Sequence, residues 1–141
     1  MADKIKRVDY YYVQVPNQPG QAFETLAKLK EAKVNLLAFT AFPTDNNNAQ
    51  MVMVPEKPEA FLKTATAAGM KLSAKKQAFF VQGKDRPGAL AEIFQKLAAA
   101  KVNVHASSAT SAGATFGTNN FGFMIWVKTA DLDAASKALG V

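Results

Sequence analysis

The sequence predicts an α+β fold: two βαββαβ units in tandem, each an antiparallel sheet with both helices on one face, the last strand of the second unit missing or rudimentary. Three observations carry this. The stretch from Val13 to Leu36 returns without a gap 68 positions later as Val81 to Val104, with Pro19/Pro87, Gly20/Gly88, Leu29/Leu97, Val34/Val102 and Asn35/Asn103 among the identical pairs. Each copy alternates β-rich segments with segments of helical periodicity in the same order. The second copy has only Gly140 and Val141 after its final helical stretch, leaving no residues for a closing strand. The expected units are residues 1–73 and 74–141. A domain near 60 residues buries only about 60% of its unfolded surface, so units this small are expected to share an interface.

In the first copy, Val8 to Val15 is rich in tyrosine and valine and reads as a strand. Pro16-Asn17-Gln18-Pro19-Gly20 stops it, because proline donates nothing to a ladder and glycine admits unusual backbone angles. Ala22, Phe23, Leu26 and Leu29, with Lys30, then fall near helical spacing to about Ala32. Val34 to Phe42 is extended, Asp45 to Asn48 is a turn cluster, and Gln50 to Val54 returns as the second strand of a hairpin. Pro58 suits a first helical position, Phe61, Leu62 and Ala65 make an apolar face, and Gly69 is placed to end the helix. Met70 to Ser73 is expected as a short last strand.

The second copy repeats the order. Ala78 to Gln82 is a strand, Lys84 to Gly88 the break, and Leu90, Ile93, Phe94 and Leu97 recur at i, i+3, i+4 and i+7. Val102 to Thr110 is extended, Ser111 to Asn120 is a loop of small residues, and Phe121 to Val127 returns. Thr129 is placed to cap a final helix through Leu139. This strand-helix order is the split βαβ, or ferredoxin-like, plan, which hosts many unrelated functions.

Composition narrows the functions. The absence of cysteine excludes disulfides, thiolate metal sites and a cysteine nucleophile. Met1 to Arg7 lacks the apolar segment of a signal peptide, and no run approaches the ~18 apolar residues of a membrane span, so a soluble cytoplasmic protein is expected. The formal charge of +6 gathers partly in Lys71, Lys75, Lys76, Lys84 and Arg86. That cluster is read as a solvated face in preference to an anion-binding surface.

Lys84-Asp85-Arg86-Pro87-Gly88-Ala89-Leu90-Ala91 after a strand, followed by Lys101-Val102-Asn103-Val104 with Asn103 sixteen residues beyond the proline, resembles the signature of the ACT domain, the small-molecule-sensing module of amino-acid metabolism. The first copy keeps Pro19, Gly20 and Val34-Asn35-Leu36 at the same spacing, so the chain is similar to a stand-alone tandem ACT protein. Asn17 and Gln18 stand where the family usually has an acidic or amide residue and then arginine, so Asn17 is neutral and Gln18 replaces the arginine. The resemblance implies effector binding where two units pair, between the loop after the first strand of one and the start of the second strand of its neighbour. Carried across, it points to Asp85, Arg86, Pro87, Gly88, Ala89, Leu90 and Asn103, and to Asn17, Gln18, Pro19, Gly20, Gln21 and Asn35. A break followed by a helix offers backbone N–H groups and a dipole end to a carboxylate. Asp85 or Asn17 supplies an acceptor for an ammonium. The expected ligand is an amino acid and the expected assembly a homodimer. Its signal would pass to a metabolic enzyme or regulator not named by the sequence.

Other residues have plainer readings. Asn35 and Asn103 also suit satisfied turns between helix and strand, because asparagine tolerates left-handed backbone. His105, the only histidine, reads as a strand residue with no partner for a metal site, and Ser107, Ser108, Thr110 and Ser111 form no serine-histidine-acid pattern. No catalytic residue, metal or cofactor is expected. The rival reading is an RNA-recognition motif, which shares the plan and stacks bases on aromatics of the return strand, here Phe121 to Val127. Against it, Met51-Val52-Met53-Val54 in the first copy has no aromatic, and Asn119-Asn120 replaces the basic opening of that motif. Neither nucleic acid nor membrane is expected as a partner.

Overall fold

The computed structural model describes residues 3–113 and 117–141; residues 114–116 of the expected Ser111 to Asn120 loop lie outside the described residues. The elements run β1 (Lys4–Pro16), α1 (Gln21–Glu31), β2 (Leu36–Pro43), β3 (Asn48–Pro55), α2 (Pro58–Ala67), β4 (Lys76–Lys84), α3 (Ala89–Ala99), β5 (Val104–Ser111), β6 (Asn120–Val127), a 3-10 turn (Thr129–Asp131) and α4 (Leu132–Leu139). The strands are antiparallel, the fold is α+β, and each copy follows the first five elements, βαββα, of the ferredoxin-like order.

Two compact units divide the chain. Asp9–Lys76 forms one; residues up to Val8 and Gln77–Val141 form the other. The units therefore part near Lys76, three residues after the expected boundary, and the start of the chain falls in the second-copy unit. The reason is the length of β1. Its C-terminal half, Tyr11 to Pro16, pairs with β3, while its N-terminal half lies beside β4, where Arg7 Nε donates to Gln77 Oε1 at 2.8 Å. No strand follows α4 in the second copy, and residues 4–8 fill the vacant strand place, with Ile5 packed on that unit's core.

Met70 to Ser73 is not a strand. Ser73 N–H donates to Tyr12 O at 2.8 Å, but the return bond from Tyr12 N–H goes to Ser73 Oγ at 3.0 Å. A serine hydroxyl has taken the donor that a ladder carbonyl would accept, a competition typical of this side chain. Met70 and Leu72 still pack on the first-copy core.

Each core forms between sheet and helices. In the first copy Tyr11, Val13, Met51 and Met53 from the strands meet Leu29, Phe61 and Ala65, with the Tyr11 and Phe61 rings stacked at 5.5 Å. In the second, Phe79, Val81, Phe123 and Ile125 meet Ile93, Leu97, Leu132 and Ala135. Phe23, expected on the apolar face of α1, is 75% exposed. Ala22, Leu26 and Leu29 make the buried stripe, and Phe23 lies about 100° round the helix from Ala22. Thr129 makes no capping bond; the 3-10 turn opens the last helix instead.

The repeat extends to fine detail. Both second strands carry a register shift at the same place, Leu36/Ala38 and Val104/Ala106. Such bulges bend a strand and re-aim its side chains. Both first helices end alike: Val34 N–H donates to Leu29 O and Lys33 N–H to Lys30 O, at 2.9 and 3.0 Å, and Val102 and Lys101 repeat this with Leu97 and Ala98, both at 2.9 Å. These paired bonds are a Schellman cap, which needs one left-handed residue.

Candidate functional site

The two loops after the first strands are built on one plan. Asn17 N–H donates to Asn47 O at 2.9 Å, and Asp85 N–H donates to Asn119 O at 3.0 Å, so each loop is tied to the hairpin of its own unit. Gly20 at φ +92° and Gly88 at φ +83° then turn the chain into α1 and α3. An added Cβ at either glycine would meet nothing within 4 Å. Backbone conformation, not crowding, demands the glycine.

A hollow of about 400 Å³ opens beside the second-copy loop, lined by Asp85, Arg86, Gly88, Ala89, Leu90 and Ala91 together with Ala109, Thr110, Ser111 and Phe121. The hairpin register brings these together, since Ser111 faces Phe121 and Asn120 faces Lys84. The Ser111 hydroxyl donates to Asp85 Oδ2, and Gly113 N–H donates to Ser111 Oγ at 3.2 Å. A Cβ on Gly113 would stand 2.7 Å from Asp85 Oδ2, so this glycine leaves room for the carboxylate. The lining thus combines one carboxylate and the hydroxyls of Thr110 and Ser111 with the apolar Leu90, Ala109 and Phe121.

Arg86 lines the hollow, but its terminal nitrogens point elsewhere. It pairs with Asp3 through both of them, at 3.1 and 3.2 Å, and with Glu92 at 2.7 Å. The hydrogen bonds it donates to Asp3 first, then to Glu92, raise its pKa above the ordinary guanidinium value. Pro87 shapes the same turn with its ring exposed. Asn103 is exposed at the opposite end of β5, about 25 Å of strand from Ser111, and does not line the hollow.

In the first copy, Asn17, Gln18, Pro19 and Gly20 are exposed, and Gln21 opens α1. Asn35 is a satisfied turn residue: its Nδ2 donates to Glu56 Oε2 at 2.9 Å and its carbonyl accepts from Glu56 N–H at 3.0 Å. The left-handed residues at these junctions are not the asparagines but Lys33 and Lys101, each at φ 58°. His105 is exposed at the bulge of β5. Asp45 in the β2–β3 turn accepts from Asn47 N–H and Asn48 N–H at 2.7 Å each. These bonds, led by that of the Asn48 side chain, lower its pKa.

Ser111 and Phe121 are site residues that sequence reasoning passed over. Hairpin closure was the available signal, because a loop between two paired strands returns the end of β5 to the start of β6. Phe121, Phe123 and Ile125, the face an RNA-recognition motif would open to bases, are 5%, 2% and 0% exposed within the second-copy core. The rival stacking platform is buried. Among the described residues no helix is long and apolar enough to cross a membrane.

The ACT domain family model matches residues 78–140. No curated protein matches the chain in sequence. Solved structures of similar fold include a protein of Bacteroides thetaiotaomicron, with TM-score 0.79, 15% identity and coverage of 96% of this chain and 88% of that one. They also include regulatory subunits of aspartate kinase from Thermus thermophilus, in its ligand-free form (TM-score 0.64, 18% identity, 98% and 94% covered), and Thermus flavus (0.59, 19%, 99% and 94%). Identities this low establish a shared fold. The family match runs from within β4 through α4, across the loop and hollow just described, so the second copy of this chain is similar to an ACT domain.

Proposed function

We propose that the chain is a non-catalytic regulatory protein that binds an amino acid in the second-copy hollow. The observation that carries this is a hollow of about 400 Å³ lined by Asp85, hydrogen-bonded to Ser111, together with the apolar Leu90 and Phe121. That volume lies within the roughly 300–1,000 Å³ of ligand sites. Asp85 accepts from the ligand's ammonium, the first-turn N–H groups of α3 receive its carboxylate, and the apolar wall takes its side chain. Two proteins of this fold are regulatory subunits of aspartate kinase, which supports a regulatory role. On this reading the chain works in the cytoplasm as a homodimer and reports ligand to a metabolic enzyme or regulator.

Thermal-shift screening against the twenty amino acids, followed by calorimetry, tests it. A ligand held at about 100 times its Kd adds about 2.7 kcal/mol of stability. No stabilisation by any amino acid, or binding that survives Asp85→Ala undiminished, overturns it.

A further inference from the structure

Resting on that reading of the hollow, we infer that Asp3, far outside the loop motif, sets the charge of the ligand: by occupying Arg86 it makes the site take neutral and basic amino acids and reject net anions such as acidic amino acids and phosphate. The lining carries two charged side chains, Asp85 and Arg86. A guanidinium has five N–H donors in a fixed fork. Here Nη1 donates to Asp3 Oδ1 at 3.1 Å and to Lys84 O at 3.0 Å, while Nη2 donates to Asp3 Oδ2 at 3.2 Å and to Glu92 Oε2 at 2.7 Å. The four terminal donors are taken, so a ligand anion cannot receive the bidentate fork that makes arginine a carboxylate or phosphate anchor. Around Arg86 stand the carboxylates of Asp3 and Glu92, with Lys84 and Lys96 lining the same adjoining hollow, and Asp85 lines the ligand hollow itself.

The seat of Asp3 is built into the strand. Its side chain is only 10% exposed, and it lies where Gly83 has no side chain. A Cβ on Gly83 would collide with the Asp3 carboxylate and stand 2.9 Å from Phe121 Cε1. The same phenyl ring lines the hollow, so the seat of Asp3 and the ligand wall share a side chain.

Two measurements test the inference. Arg7 and Arg86 are the two arginines of the sequence, and their side chains are 31% and 32% exposed, so Arg7 is a matched internal standard. In the first, phenylglyoxal modification is followed by peptide mass spectrometry. Asp3→Asn is expected to speed modification of Arg86 by about tenfold relative to Arg7, as its charged bonds are weakened. In the second, calorimetry with serine, lysine, aspartate and inorganic phosphate is expected to show Asp3→Asn gaining about tenfold for aspartate and phosphate relative to serine. Glu92 is 61% exposed, so Glu92→Gln spares the core and is expected to move both readouts the same way by about threefold. It decides the matter if Asp3→Asn does not fold. Unchanged Arg86 reactivity and an unchanged aspartate-to-serine ratio overturn the inference even if serine binds through Asp85. If instead no amino acid binds, yet the variant exposes Arg86 and gains phosphate, the amino-acid reading fails while the control of charge by Asp3 stands.

Discussion

Lys33 and Lys101 hold the same left-handed backbone, each at φ 58°, and each closes a helix with the same pair of hydrogen bonds. The two remaining α-helices close with the same bonds around Gly69 and Gly140. A left-handed conformation costs a side-chain-bearing residue about 1–2 kcal/mol, and glycine escapes it at some cost in unfolded-state entropy. Lys33→Gly and Lys101→Gly are therefore expected to stabilise the protein by about 0.5–1 kcal/mol each in urea unfolding. Destabilisation by either would show that lysine contacts outweigh the backbone.

Three glycines separate backbone strain from crowding. Gly20→Ala and Gly88→Ala face positive φ with open space, and each should cost about 1–2 kcal/mol. Gly83→Ala faces ordinary backbone but crowds Asp3 and Phe121. It should release Arg86 to phenylglyoxal, whereas the first two should not.

Alkaline pH should weaken the first-copy unit. Burial first, and the charge of Asp9 second, raise the pKa of Tyr11. The folded state thus holds the phenolic proton more tightly than the unfolded chain. This stability is whole below the unfolded value of about 10 and is lost as pH rises above it. Tyr11→Phe keeps the ring against Phe61 and removes that titration. Urea midpoints between pH 8 and about 11 should fall less steeply for the variant, although Tyr10, also raised by burial, leaves part of the slope.

The two loops should differ as ligand sites. Asp85→Ala is expected to cost about 1.5–3 kcal/mol of amino-acid binding, a loss of about tenfold or more. Asn17→Ala should cost less, because Asn17 stands exposed and carries no charge. Gly113→Ala should mimic Asp85→Ala in part by pushing on Asp85 Oδ2. Calorimetry showing equal losses at Asp85 and Asn17 would contradict the ranking.

What could be read in the sequence was what neighbours in the chain decide. The Pro-Gly breaks, the stripes of α1 and α3 apart from the exposed Phe23 and Phe94, and the Asp45 turn are local, and each lies where its periodicity or turn chemistry puts it. Lys4 to Arg7 fall outside the expected Val8 to Val15 strand because their place in the sheet depends on β4, about seventy positions away. Ser111 reads as one serine among several until hairpin register sets it against Asp85. Asn103 was tied to Asp85 by motif spacing, but an eight-residue strand holds them apart. The pairing of Arg86 with Asp3 has no local signature at all.

The ion pair of Arg7 with Asp133, at 3.1 Å, joins residues 126 positions apart. During synthesis the N-terminal half of β1 leaves the ribosome first, yet its strand neighbour follows about seventy residues later. At about 5–20 residues per second, that is a wait of about 4–14 s. Throughout it the Asp9–Lys76 unit can complete its own core, while residues 4–8 present an open edge to any passing strand. Lys4, Lys6 and Arg7 are the kind of charged residues that keep such an edge from pairing wrongly. Their cost in local strand signal is the counterpart of safety during birth.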